Sequence, residues 1–163
     1  MDNNPIDFKD LFNRIPQARA MLNGSILYPE IQGDVWFYQA NEGVFVVADV
    51  KGLPNNKGKC VDSIFGFHIH EGNSCSGNAS DQFAHTGEHY NPNRCMHLQH
   101  AGDLPSLFGV NGFAFLAVLT NRFTIDDIVG KTVVVHSRAD DFASQPAGNA
   151  GIKIACGEIK WYK

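Results

Sequence analysis

Seven histidines occur in this chain of 163 residues, and they are not spread evenly. His89, His97, His100 and Asp103 place three imidazoles and a carboxylate between residues 89 and 103, in a polar stretch with little core of its own. Three nitrogens and one anionic oxygen form a donor set suited to a tetrahedral Zn²⁺ ion. A metal there would also hold a long polar segment in one shape. Upstream, His68 and His70 sit in Gly66-Phe67-His68-Ile69-His70-Glu71-Gly72. Residues i and i+2 of a strand point to one face, so these rings project side by side. In isolation such a pair reads as a half-buried strand face with hydrogen-bonded rings. His136 ends the run Thr132-Val133-Val134-Val135 and brings a third nitrogen from another strand. All-imidazole donors of this kind suit copper, whose Cu(II) state favours tetragonal geometry. Water activation at a zinc ion is the competing chemistry, but no H-E-x-x-H helix pattern accompanies these residues.

The elements that must position these side chains read as β-strands. Sixteen glycines and seven prolines spread along the chain imply many turns and argue against a helix bundle. Short β-rich runs bounded by Gly, Pro and Asn appear at GSILYPEI, GDVWFYQAN, GVFVVADVKGLP, CVDSIFGFHIHEG, GFAFLAVLT, KTVVVHS and IKIACGEIKWY. Asn41-Glu42-Gly43 reads as a hairpin turn between the second and third. Residues 72–107 and 138–151 form two long polar loops, and loops of such length inside a domain are usually functional. Seven or eight short strands with two long loops predict an antiparallel sandwich or flattened barrel over residues 24–163. Ahead of it, residues 1–23 read as an extension in which Phe8, Leu11, Phe12 and Ile15 form the stripe of a short amphipathic helix ended by Pro16.

The net charge of −4, with no basic cluster, excludes nucleic acid as the main partner. No run approaches the roughly 20 apolar residues of a membrane span. The acidic start, MDNNPIDFKDLF, is not a signal peptide and points to the cytoplasm, or to an extracytoplasmic compartment if a signal has been removed. Four cysteines, Cys60, Cys75, Cys95 and Cys156, include no C-x-x-C pair and are too few for a disulfide scaffold.

The segments GFHIHEG, TGEHYNP, HAGDL, GKTVVVHSRADD and GNAGIKIACGEI stand in an order and spacing that resemble copper–zinc superoxide dismutase over roughly Gly24 to Ile159. That resemblance implies an all-β fold, an eight-stranded antiparallel Greek-key β-barrel. It implies copper ligands His68, His70, His89 and His136, and zinc ligands His89, His97, His100 and Asp103, so that His89 is shared. Asp140 matches the carboxylate that orients one histidine of each metal, and Cys75 and Cys156 match the family's internal disulfide. His85 has no ligand counterpart. The activity implied is disproportionation of the small anion superoxide to dioxygen and hydrogen peroxide. Copper carries the electron and His89 takes up and delivers a proton, which makes His89 a catalytic residue.

The departures concern the substrate path. Lys153 stands where the family places an arginine that guides the anion. Lysine keeps the charge and loses the planar fork, so activity with weaker, salt-sensitive docking is expected. The second loop is shorter than in familiar eukaryotic members and lacks their paired glutamates, while the first carries an insertion around GNASDQFA. Cys60 and Cys95 are additional, either bridged to each other or free. A non-catalytic metal-binding relative is the alternative function, but such relatives lose copper histidines and this chain keeps four. The resemblance leaves a homodimer and a monomer both open.

Overall fold

A computed structural model describes residues 13–55 and 63–163. Among them are nine strands: β1 (Ala18–Gly24), β2 (Gln32–Gln39), β3 (Val44–Lys51), β4 (Ile64–Phe65), β5 (Phe67–His70), β6 (Leu107–Phe108), β7 (Phe113–Thr120), β8 (Thr132–His136) and β9 (Lys153–Trp161). A single helical turn, α1 (Ile125–Ile128), is capped reciprocally by Thr124 and Asp127.

Period-two alternation builds the sheet. In β1, Ala18, Ala20 and Leu22 are buried, while Met21 points outward. Small Ala18 lies opposite Phe37 and Ala20 opposite Val35 across the β1–β2 ladder, so large and small side chains interlock. The expected hairpin at Asn41-Glu42-Gly43 joins β2 to β3, with Ala40 N–H donating to Gly43 O at 2.8 Å. Gly43 adopts φ 150°, and a Cβ there would strike the Thr120 carbonyl.

All pairings are antiparallel, in the order β5-β8-β9-β1-β2-β3-β7, with a separate β4–β6 ladder. β4 runs into β5 with only Gly66 between them, and β6 leads into β7, so the small ladder links the two edges of the seven-stranded sheet. Counting β4 and β5 as one broken strand, the fold is the eight-stranded barrel implied by the resemblance. Phe37, Phe67, Leu22, Ile31, Ile69, Leu107, Ile128, Ile154 and Ile159 fill its interior. Each such side chain contributes roughly 1.5–3 kcal/mol of burial free energy.

Two readings of the strands are corrected. GSILYPEI is a turn, closed by bonds from Tyr28 N to Ser25 O (2.9 Å) and Ile31 N to Tyr28 O (3.1 Å), with Ile26 and Leu27 exposed. Strand structure instead begins earlier, at Ala18, and β1 runs across the expected boundary between residues 23 and 24. The expected helix over residues 7–15 lies largely outside the described residues; its last part, 13–15, is irregular, and Ile15 is exposed.

Candidate metal centre

Strand parity decides where the histidines go. In the β5–β8 ladder, Phe67 lies opposite Val135 and Ile69 opposite Val133, and all four enter the core. His68, His70 and His136 therefore face away from it, yet all three are buried, because the loop after β5 covers them. β5 is an edge strand, whose unpaired backbone groups need partners. The loop supplies them: Ile69 N–H donates to Gly102 O at 2.9 Å, and Tyr90 N–H donates to Ile69 O at 2.8 Å. These bonds set His89 across from His70 and Asp103 across from His68.

Two donor groups result, His68–His70–His89–His136 and His89–His97–His100–Asp103, the ligand atoms of each lying within 4.8 Å of one another. His89 belongs to both. Hydrogen-bond partners show which nitrogens are bare. His70 Nδ1 lies 2.9 Å from Gly87 O and His136 Nδ1 3.3 Å from Gly151 O. A carbonyl only accepts, so both Nδ1 atoms carry the proton and both Nε2 atoms are lone pairs. Those two lone pairs meet at 3.2 Å, an arrangement that calls for a cation.

Asp140 performs the same sorting for two further rings. Its Oδ2 accepts from His68 Nε2 at 2.8 Å and its Oδ1 from His97 Nε2 at 2.9 Å. The opposite nitrogens, His68 Nδ1 and His97 Nδ1, are buried without a hydrogen-bond partner among the described residues, as are His89 Nε2 and His100 Nδ1. Orphaned buried polar atoms cost about 1–3 kcal/mol each, so a purely structural histidine cluster would be poorly built. On the loop side, His89 Nδ1 meets Asp103 Oδ1 at 2.8 Å, and His97 Nδ1 and His100 Nδ1 approach Asp103 at 3.2 and 3.3 Å. The residues present fit one metal ion on each side of His89.

Burial is the largest influence on His68, His70, His100 and His136, and it favours their neutral forms. Desolvation lowers His68 to about 4 against the opposing pull of Asp140, and lowers His136 to about 3, with His68 adding to the effect. His70 is pushed well below its ordinary value by burial and then by His136, and His100 moves in the same direction. Burial works to raise the Asp140 carboxyl, but hydrogen bonds from His68, His97 and the Phe142 amide outweigh it and hold the group well below the usual range. Asp103 is lowered likewise: the hydrogen bond from His89 and the nearby imidazoles overcome desolvation. Neutral imidazoles and ionised carboxylates are the protonation states in which metals bind.

Several residues that hold the site were not legible as site residues. Arg122 Nη1 donates to the carbonyls of Leu98 (2.8 Å), His100 (3.3 Å) and Asp103 (3.4 Å), stapling the loop to the end of β7. Gln145 exchanges hydrogen bonds with the His97 backbone, at 2.9 and 3.0 Å. Gly148 has φ 64°, and a Cβ there would strike Asp140 and lie 2.6 Å from His97 Nε2. Arg122 and Gln145 look like ordinary surface residues in sequence; only the density of glycine around 148–151 carried a signal.

The remaining expected residues fall as follows. Cys75 and Cys156 form a disulfide, Cα atoms 5.6 Å apart, which ties the first loop to β9. His85 lies outside both groups and bonds Ser76 Oγ at 2.8 Å. Cys95 is a free thiol among the described residues; Cys60, the other member of the pair considered in the sequence, lies outside them. Lys153 is the cross-strand partner of His136. Its Nζ is not free, however: it pairs with Asp81 Oδ2 at 3.0 Å and donates to Phe83 O at 3.2 Å.

Comparison with known proteins agrees with this geometry. The copper/zinc superoxide dismutase family model matches residues 31–159. Superoxide dismutase [Cu-Zn] 2 of Aquifex aeolicus is 32% identical over 146 residues, covering 80% of this chain and 80% of that protein. Superoxide dismutase [Cu-Zn] of Legionella pneumophila is 31% identical over 140 residues, covering 81% and 80%. The extracellular superoxide dismutase [Cu-Zn] of Schistosoma mansoni is 29% identical over 143 residues, covering 78% and 72%. A barrel that presents two donor groups sharing one buried imidazole, matched over most of its length, belongs to the copper/zinc superoxide dismutase family.

Proposed function

We propose that this chain works as a superoxide dismutase through two metals that share His89. The net reaction consumes two superoxide anions and two protons and yields dioxygen and hydrogen peroxide. The observation that carries this reading is the pair of donor groups joined at one ring in a chain of this family.

In the assignment we propose, His68, His70, His89 and His136 would hold copper, and His89, His97, His100 and Asp103 would hold zinc. Bound copper supplies a reversible one-electron couple, and bound zinc supplies a second positive charge beside His89. The chain's own residues do the rest. The carbonyls of Gly87 and Gly151 and the Asp140 carboxylate fix ring orientation and tautomer. His89 is the proton carrier. Its Nδ1 is engaged by Asp103 at 2.8 Å, whereas Nε2 has no partner among the described residues. That nitrogen lies among the rings of β5 and β8, where it can take up a proton and hand it to the departing peroxide. Lys153, the cross-strand neighbour of His136, is the residue we assign to receiving the anion once it has reached the site.

A homodimer is the assembly we propose; Phe113 and Leu119, exposed on the outward side of the edge strand β7, support it. The net charge of −4 supports a role without nucleic acid. Among the described residues no helix is long and apolar enough to cross a membrane. For the compartment, the Cys75–Cys156 disulfide favours an oxidising location, which cell fractionation tests.

Stopped-flow measurement of superoxide decay tests the function. Protein loaded with copper and zinc should accelerate decay in proportion to its concentration, and His136→Ala should abolish the acceleration. Protein carrying both metals that leaves the decay unchanged would contradict the proposal, as would uptake of zinc without copper.

A further inference from the structure

The insertion GNASDQFA places a carboxylate on the one cation beside the site that the family resemblance assigns to substrate guidance. Asp81 Oδ2 lies 3.0 Å from Lys153 Nζ, and Lys153 is the cross-strand neighbour of His136. This is a built contact rather than an incidental surface pair. The other oxygen, Asp81 Oδ1, accepts from Phe83 N–H at 2.9 Å, so both ends of the carboxylate are engaged. Asn78 Oδ1 accepts from Ser80 N–H (2.9 Å) and Asp81 N–H (3.0 Å), closing the turn that carries Asp81. Phe83 is buried against Val134 and Cys156, and the Cys75–Cys156 disulfide pins the same loop. Lys153 is largely buried, with its side chain 16% exposed, and a second bond from Nζ to Phe83 O holds the ammonium in place. The charge of Lys153 is felt at His136, so the pair lies within electrostatic reach of the donor group.

We infer that Asp81 is a charge-setting, positioning residue for Lys153: it cancels the guiding charge at long range, so that superoxide enters without steering from Lys153. Seen from a distance, a cation and an anion 3.0 Å apart have no net charge. Their field falls faster with distance than that of a lone cation, and attraction of an anion from solution depends on the longer-ranged part. The inference rests on the superoxide reading above. It also narrows the salt-sensitive docking expected from the sequence, because the charge that would produce it is offset within the fold.

Asp81→Asn tests this, since asparagine keeps an oxygen acceptor for Lys153 while removing the negative charge. In metal-loaded protein, kcat/KM for superoxide at low ionic strength should rise by about two- to threefold. The gain should shrink as salt increases and vanish where the screening length falls to about 3 Å, near 1 M. Adding Lys153→Met to Asp81→Asn should remove the gain. A merely structural role for Asp81 would lower activity without steepening the salt dependence. An unchanged or lower kcat/KM in folded, metal-replete Asp81→Asn overturns the inference. The unmodified protein provides a second test: its kcat/KM should fall little with added salt, and a steep fall would show that Lys153 steers despite its partner. Either failure leaves the dismutase reading standing, because that reading requires only that the unmodified protein accelerate decay.

Discussion

The two donor groups meet at His89 but are built in different ways. The strand-side group takes His68 and His70 from β5 and His136 from β8, strands whose opposite faces are locked in the core by Phe67, Ile69, Val133 and Val135. The loop-side group takes all its residues from 89–103, a segment held by side chains reaching in from elsewhere: Asp140, Gln145 and Arg122. One half inherits its geometry from a ladder; the other must be assembled by polar contacts and completed by its ion. A shared ring thus couples a rigid half to a conditional one, and metal binding on the loop side should set how well His89 is presented to the strand side.

The largest effects should come from deleting one ligand on each side. His136→Ala should weaken copper binding by more than about 100-fold, beyond the usual effect of outer-shell changes, and leave zinc affinity and amide exchange in residues 89–103 nearly as before. His100→Ala should abolish tight zinc binding and also accelerate amide exchange across residues 89–103, while β5 and β8 amides stay protected. Competitive metal titrations with hydrogen exchange check both. Equal loosening of strand and loop in His100→Ala would show that the strand half is not rigid on its own.

Asp140→Asn strikes the residue that touches both halves. Its carboxylate accepts from His68 and from His97, so each metal should lose about 10- to 100-fold in affinity. A loss confined to one metal would show that the bridge organises only one side. The smallest effect should belong to Arg122→Gln. This change disrupts the donations to three loop carbonyls and should lower zinc affinity or thermal stability by about 0.5–1.5 kcal/mol, with copper affinity on the strand side unchanged. Equal weakening of both metals would mean that Arg122 supports the barrel rather than the loop.

The strand half was legible because it follows local rules. Period-two spacing put His68 and His70 on one face and Val133 and Val135 on the other, and the Asn-Glu-Gly hairpin emerged as expected. β1 escaped notice because its inward residues are two alanines and one leucine, weak β-formers whose fit depends on Phe37 and Val35 opposite. GSILYPEI looked like a strand by composition, but its Pro29 and the closing bond from Gly24 N to Ile31 O make a turn. In the loop half, ligand types and spacing were readable, while the supports were not. Arg122, Gln145 and the Asp81–Lys153 pair join positions far apart in sequence, and no local pattern records where a long loop will fold back. The family motifs filled part of that gap, for Asp140 and the disulfide, and they left the insertion carrying Asp81 without a role.

The sharing of His89 can be tested by spectroscopy. Cobalt(II) placed on the loop side and copper(II) on the strand side are both paramagnetic, and a single imidazole joining them should couple their spins. The copper electron paramagnetic resonance signal should disappear as cobalt is added to the copper-loaded protein, and should persist in His89→Ala carrying both ions. A copper signal left at full strength in the unmodified protein with cobalt bound would contradict the shared ligand and, with it, the two-metal site proposed here.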